Sequence, residues 1–342
     1  MFRMTDKNLQ VLLRRRPQGA PVPEDFEVVE TAAPTPGPGQ VLVRAHFLSL
    51  DPYMRGRMSD AKSYAKPVDL GAVMEGATVG EVVASHDPAF QPGDLVMGGQ
   101  GWQRFCVMDA ARLRKVDTSV APLSAYLGLL GMPGLTAWVG LEDIGTPKAG
   151  ETVVVSAASG AVGQVVGQLA KARGCRVVGI AGGQAKCDFV VKELGFDACL
   201  DHRQPLNPQL DAACPDGIDV YWENVGGHVQ EAVFPRFNDF GRMVMCGMIA
   251  QYNIAPGADA AGAPPGPNLG PVVRKRLRIQ GFIVSDTGWP RYGAFLAEMT
   301  PLIAQGRMRW REDVAEGLAA APRAFIGLLQ GENFGKLVVR IG

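Results

Sequence analysis

No C-x-x-C pair occurs in this sequence. Its six cysteines, Cys106, Cys175, Cys187, Cys199, Cys214 and Cys246, stand singly, which argues against a zinc knuckle or a thioredoxin-like site. They read as small buried residues of a reducing compartment, and a cytoplasmic location is expected. No apolar run is long enough to span a bilayer, so no membrane association is expected. An excess of charge of either sign is missing as well: 34 Lys and Arg balance 34 Asp and Glu. Nothing global therefore favours nucleic acid or an anionic lipid surface as partner. Arg14, Arg15 and Arg16 form a short basic run, but "PQGAPVPEDFEVVE" follows it in place of an apolar stretch. That order argues against a twin-arginine export signal.

What the chain does have is glycine, 43 residues, and proline, 25. A length of 342 residues exceeds one typical core, and two domains are expected. Up to about Leu130 the pattern is short strands between Pro and Gly clusters: "QVLLRR", "FEVVE", "GQVLVRAHFLSL", "ATVGEVVAS", "GDLVMGG" and "WQRFCVMD". Such spacing suggests a compact β-barrel or sandwich. From about Pro133 the pattern changes to short β-branched runs alternating with helices, beginning with "ETVVVSA" and "RVVGIAG". That alternation predicts a parallel, doubly wound α/β sheet. The tail from Arg309 reads strand, helix, strand, and its return to the first domain is one possibility. Asn253–Val272 reads as a long structureless stretch, for which a lid and a disordered loop stay open.

The most informative stretch is "VVVSAASGAVGQVVGQLAKARG", Val153 to Gly174. It reads as strand, tight turn and helix. The G-x-G-x-x-G dinucleotide pattern is incomplete: Ala158 stands in the first place, Gly160 and Gly163 in the other two. Gly163 and Gly167 share a helix face and allow close packing on the sheet. Gly160, Ala161 and Val162 would present N–H groups at the positive end of the helix, which suits a pyrophosphate. Gly174 is placed to end the helix in the left-handed conformation. Packing alone would also explain the glycines. Their position between two β-branched strands one βαβ unit apart favours a dinucleotide site. At the end of the second strand, where NAD sites carry an acid, stand Gly182 and Gly183, with Lys186 close behind. A missing acid and a nearby cation favour the 2′-phosphate of NADPH; the alternative is a solvated lysine on the next helix.

With these motifs in view, the chain resembles the zinc-independent medium-chain dehydrogenase/reductases. "AASGAVGQVVGQLAK", "DVYWENVGG", "GRMVMCGMIAQYN", "GFIV", "ENFGKLVV", "DPYMRGRM" and "GMPGLTAW" are most similar to the group of leukotriene B4 12-hydroxydehydrogenases, prostaglandin reductases and plant alkenal double-bond reductases. The resemblance covers essentially the whole chain. It implies a GroES-like β-barrel domain, residues 1–131 completed by 305–342, and a Rossmann domain, residues 132–304, that binds NADPH. It also implies reduction of the carbon–carbon double bond of α,β-unsaturated aldehydes and ketones, including enones of the 15-oxoprostaglandin type, and a homodimer. Zinc-dependent relatives carry Cys and Gly-His-Glu ligands. The comparable stretch here is "VMEGATVGEV", without histidine, so no metal is expected, and His46 and His86 are read as structural or surface residues.

Several residues gain expected roles from the resemblance. Gly160, Ala161, Val162 and Gly163 form the pyrophosphate turn, and Lys186 reads the 2′-phosphate. Asn224 lies beside the cofactor. Cys246, Gly247, Met248, Ile249, Ala250, Gln251 and Tyr252 run past the nicotinamide ribose. Phe282, Ile283 and Val284 meet the carboxamide, and Asn333 reaches the cofactor from the last strand. One departure stands out: "DHR" puts His202 where the family often has tyrosine. His202 can still bond a ribose or phosphate oxygen, with Arg203 assisting, or be an ordinary loop histidine.

Reducing an enone needs hydride at the β carbon and a proton at the α carbon, with negative charge on the carbonyl oxygen between. Tyr252 is the candidate donor to that oxygen; the cofactor's ribose hydroxyl is the rival. Tyr53 lines the substrate pocket or else packs as a core aromatic. Met132 and Trp138 are expected to add apolar wall. Two other functions compete. One is an NADPH quinone oxidoreductase; the other is a non-catalytic nucleotide- or RNA-binding protein, for which only the basic stretch "VVRKRLRIQ" speaks.

Overall fold

The computed structural model describes residues 7–254 and 269–342. The first part supplies β1 (Lys7–Leu13), β2 (Phe26–Ala32), β3 (Gln40–Ser49), α1 (Met54–Arg57), β4 (Thr78–Ser85), β5 (Leu95–Gly98), β6 (Phe105–Asp109) and β7 (Arg114–Lys115). β1 and β2 form an antiparallel ribbon. The long strand β3 organises the rest. β4 pairs along one edge, while the other edge is shared: β6 takes Gln40–Arg44 and β15 takes Phe47–Ser49. Trp102 anchors the core here, stacked on Phe26 with ring centroids 5.7 Å apart and met edge-on by Phe325.

The second part contains α2 (Met132–Gly140), β8 (Thr152–Ser156), α3 (Gly163–Ala172), β9 (Arg176–Ala181), α4 (Gln184–Lys192), β10 (Ala198–Asp201), α5 (Leu206–Ala213) and β11 (Ile218–Glu223). After these come α6 (Gly227–Val233), β12 (Phe237–Met245), α7 (Gly270–Lys275), β13 (Arg278–Gly281), α8 (Val284–Thr287) and α9 (Tyr292–Ala304). The six strands run parallel in the order β10-β9-β8-β11-β12-β13. Every residue of β8 is buried, as a β-branched run covered by helices on both faces requires. Strand order reverses between β8 and β11, which opens a crevice at their carboxyl ends.

Close approach explains the small residues of α3. A Cβ on Gly167 would fall 1.8 Å from the Phe196 ring. Gly174 ends the helix at φ +78°, a conformation that costs a residue with a Cβ.

The tail, β14 (Glu312–Glu316), α10 (Ala321–Leu329) and β15 (Lys336–Arg340), returns to the first sheet. α10 carries Phe325 into the Trp102 core. Of the stretch read as structureless, residues 255–268 lie outside the described residues. Its last part is helical: Gly270, Pro271 and Val272 open α7, with proline in the first turn, where a missing N–H costs nothing. Among the described residues no helix is long and apolar enough to cross a membrane.

Candidate active site

The crevice is built from turns that follow β8, β9, β10, β11 and β12. After β8 the chain turns through Ala157, with φ at +49°, and enters α3 at Gly163. A Cβ on Gly163 would lie 2.3 Å from the Ala157 carbonyl oxygen and 2.9 Å from Ala158 Cα. Glycine is required because the turn folds back onto the helix entry. The Gly160 N–H donates to the Ala157 carbonyl at 2.9 Å, so it is spent inside the turn and does not project as expected. The N–H groups of Ala161 and Val162 have no backbone acceptor among the described residues. Both residues are half-exposed while the strand before them is buried. That is the arrangement an anion needs at a helix N-terminus.

After β9, Gly183 adopts φ +92° and begins α4. Nitrogen-bearing side chains gather over this turn. A Cβ on Gly182 would lie 2.8 Å from His202 Nε2, and one on Gly183 2.9 Å from an Arg203 guanidinium nitrogen. Lys186 is half-buried, and its ammonium donates to the Gly331 carbonyl at 2.7 Å. Burial, and then Arg203, hold its pKa below the ordinary lysine value. The nearby carboxylate, Asp201, accepts from the Gly183 and Arg203 N–H groups through Oδ1. Those two bonds hold its pKa low. Arg203 has no ion pair among the described residues. A cradle lined by cations, with its carboxylate bonded to backbone, suits a phosphate monoester.

At the ends of β11 and β12 the backbone is braced. Glu223 is fully buried and accepts from Ser156 Oγ and from the Val225 and Gly226 N–H groups. Asn224 donates to the Ser156 carbonyl at 2.7 Å and accepts from Trp222 Nε1 at 3.1 Å. Its amide thus ties β8 to β11. Cys246 and Gly247 donate to the Glu223 carbonyl, Ile249 to that of Asn224, and Ala250 to that of Val225. The segment from Cys246 to Gln251 is thereby laid along the crevice. Burial pushes the Cys246 thiol up to about 12, which makes it an inert wall and not a nucleophile.

Tyr252 folds back over this segment, and its phenol oxygen accepts from the Met248 N–H at 3.4 Å. The phenolic proton has no acceptor among the described residues. Burial is the main cause that raises the Tyr252 pKa; the Met248 bond opposes it, and Cys246 and Tyr64 add to it. Tyr53 is raised further, by burial first and then by Asp51 and Glu75. Two residues here escape a reading of the sequence. Arg57 lies 5.4 Å from the Tyr53 ring centroid and 4.5 Å from that of Tyr64, and its guanidinium is fixed by Glu75 at 2.6 Å. Tyr64 is 58% exposed and acts electrostatically on both other phenols. An isolated aromatic in the polar stretch "SDAKSYAKP" is the available signal.

The remaining expected residues are placed as follows. Phe282 meets Trp222 edge-on at 6.0 Å, and Ile283 and Val284 open α8, half-buried. Asn333 donates to the Gly335 carbonyl at 2.8 Å. Beside it, Phe334 packs edge-on against Phe189 of α4 at 5.3 Å, which joins the two domains. Met132 is half-buried at the start of α2 and accepts from Thr136. Trp138 is 6% exposed, packs on Phe295 and donates to Glu298 at 2.5 Å. Glu298 also faces Arg173, the residue that closes α3 at its C-terminal end. An apolar helix buried on both sides gives no sign in sequence of which neighbour each face meets. His46 is half-buried beside Glu81, and no group of three or more His, Cys, Asp or Glu among the described residues could hold a metal ion.

A doubly wound parallel domain with a glycine turn at its switch point, joined to a β domain, is the frame of a nicotinamide-dinucleotide oxidoreductase. The family model described as the N-terminal domain of oxidoreductase matches residues 9–116, and that of zinc-binding dehydrogenase matches residues 161–300. The chain is 49% identical to the NADPH-dependent curcumin reductase of Escherichia coli, over 100% of this chain and 99% of the relative. It is 42% identical to the NADP(+)-dependent 2-alkenal reductase of Nicotiana tabacum, over 98% and 97%. Its fold superposes on that of CurA in complex with NADPH from Vibrio vulnificus with a TM-score of 0.91 at 48% identity, over 98% and 99% of the two chains. The chain belongs to the medium-chain dehydrogenase/reductases, in the group that includes the curcumin, 2-alkenal and prostaglandin reductases.

Proposed function

We propose that the protein is an NADPH-dependent reductase of the carbon–carbon double bond of α,β-unsaturated aldehydes and ketones. The observation that carries this reading is Tyr252. Its oxygen takes a backbone N–H, so its proton is left to donate, and it stands on the segment that borders the crevice. NADPH, when bound, supplies the hydride for the β carbon. The chain's own groups do the rest. Ala161, Val162 and Gly163 hold the pyrophosphate at the entry of α3; Lys186 and Arg203 hold the 2′-phosphate. Tyr252 donates to the carbonyl oxygen as charge grows there, and its raised pKa keeps it a donor at neutral pH. Tyr53, Tyr64 and Arg57 form an aromatic wall on the opposite side, suited to extended or aryl enones. The names of the relatives support 2-alkenals and curcumin-like enones as substrates; enones of the 15-oxoprostaglandin type belong to the same class. The reading includes residues 1–131 and 305–342 as the substrate side, 132–304 as the cofactor side, a cytoplasmic location and a homodimer. β13, exposed along its length at the edge of the sheet, supports the dimer.

The test is turnover. Purified protein with NADPH, and separately with NADH, is offered 2-alkenals, aryl enones and quinones. Loss of reduced-nicotinamide absorbance is followed, and products are identified by mass. Saturation of the enal or enone double bond with NADPH is the expected result. Reduction of quinones alone would assign the other reductase class, and tight NADPH binding without turnover would refute an enzymatic role.

A further inference from the structure

Two nitrogen-bearing side chains, those of His202 and Arg203, converge on one glycine turn. We propose that His202, backed by His228, is a second reader of the 2′-phosphate and takes up a proton when NADPH, and not NADH, binds. The inference rests on the reading of the Gly182–Gly183 turn and Lys186 as the phosphate site.

The geometry comes first. His202 Nε2 would stand 2.8 Å from a Cβ on Gly182, so this nitrogen faces the turn directly. Arg203 covers Gly183 in the same way. The His228 ring of α6 lies 5.9 Å from that of His202. The charges that face His202 are therefore Arg203 on its own turn, His228 from α6 and Asp201 at the end of β10. Lys186 of α4 adds positive charge beside Arg203. Asp201 is the opposing carboxylate, and its Oδ1 is already committed to two backbone N–H groups.

Burial, then His228, lower the pKa of His202, and Arg203 adds to this against the opposition of Asp201. In the free protein His202 is accordingly neutral at pH 7. A phosphate dianion against Nε2 supplies the counter-charge that the cluster lacks and favours the protonated ring. The sign follows. A proton moves from solvent to His202 on binding, so NADPH affinity falls as pH rises through the pKa of His202 in the complex. NADH carries no phosphate there, and its affinity stays flat. If the phosphate lifts the pKa of the ring by one, NADPH affinity changes about tenfold across the titration. The phosphate's own second ionisation, near pH 6, acts in the opposite direction, so the window runs from about pH 6.5 upward.

The experiment is calorimetric titration of the whole protein with NADPH and with NADH at pH 7, in buffers of different ionisation enthalpy. The difference between buffers counts the protons taken up. Wild type is expected to take up protons with NADPH and none with NADH, and its NADPH Kd is expected to rise severalfold, by less than about tenfold, from pH 6.5 to 8.5. His202→Gln abolishes the uptake and flattens the profile. His228→Gln keeps a smaller uptake, because His202 is then partly charged beforehand. Uptake unchanged in His202→Gln, or absent from wild type, would overturn the proposal. Lys186→Ala separates the underlying reading: equal weakening of NADPH and NADH would refute the phosphate site itself, whatever the proton count.

Discussion

Gly163→Ala tests the phosphate turn at its tightest contact. The added methyl would sit 2.3 Å from the Ala157 carbonyl oxygen, 2.9 Å from Ala158 Cα and 3.0 Å from the Ala157 carbonyl carbon. All three are backbone atoms of the turn. The helix entry must therefore retreat by about 0.7 Å before the closest distance reaches even 3.0 Å. Overpacking of this kind costs about 1–3 kcal/mol. Alanine regains part of this through helix propensity, at most about 1 kcal/mol and less at a first helical position. The net is a loss of about 1–2 kcal/mol, or a fall in Tm of a few degrees in a protein of this size. The larger effect is on binding, because the displaced N–H groups are those offered to the pyrophosphate. Kd for NADPH and for NADH is expected to rise together, by tenfold or more, in a titration of nicotinamide fluorescence. Gly160→Ala is the control, since its Cβ would meet its nearest atom at 3.1 Å. Wild-type Tm and unchanged affinity for both cofactors in Gly163→Ala would show that this turn is not where the phosphates bind.

Three other changes are informative. Lys186→Ala removes a charged hydrogen bond worth about 1.5–3 kcal/mol, so NADPH should weaken about 10- to 100-fold while NADH changes little; competition binding with both cofactors reads the ratio. Tyr252→Phe should lower kcat on enones about 10²-fold with NADPH affinity preserved, and unchanged turnover would assign the oxyanion to another donor. Because burial raises the pKa of this phenol above 10.0, the pH–rate profile should show no Tyr252 limb below that value. Trp138→Phe should cost about 1–3 kcal/mol of stability in denaturant titration, through the lost bond to Glu298 and the vacated volume, and leave KM for enones unaltered. A raised KM with intact stability would return Trp138 to the substrate wall.

Much of the Rossmann half is legible in sequence because its signals are local. Val153–Val155, Gly163 and Gly174 each express a short-range requirement: burial on both faces, close approach, a left-handed cap. The return of β14 and β15 to β3 can be suspected from the strand–helix–strand pattern, but the pairing is long-range and no periodicity encodes it. The substrate side is harder. Tyr64 and Arg57 matter through where α1 and the following loop bring them, and the partners of Trp138, Phe295 and Glu298, cannot be read from "LTAWVG", which offers apolar residues around the helix. Gly160 shows a smaller failure of the same kind. A glycine in the right place suggests an N–H on offer, whereas the turn spends that N–H on Ala157.

Gln164 and Gln168 lie one helical turn apart on α3, nearly fully buried. Gln168 holds both the N–H and the carbonyl of Arg309, and Gln164 holds both of Arg311. Two amides thus read alternate residues of an extended chain, as a neighbouring strand would. The consequence concerns modularity. A chimera that exchanged cofactor domains at residue 304 with a relative lacking either glutamine would leave the backbone groups of Arg309 or Arg311 without their partners, at a cost of about 1–3 kcal/mol for each buried group left unsatisfied. The exchangeable unit therefore runs through Arg311, and the strap that crosses back to the first sheet travels with α3.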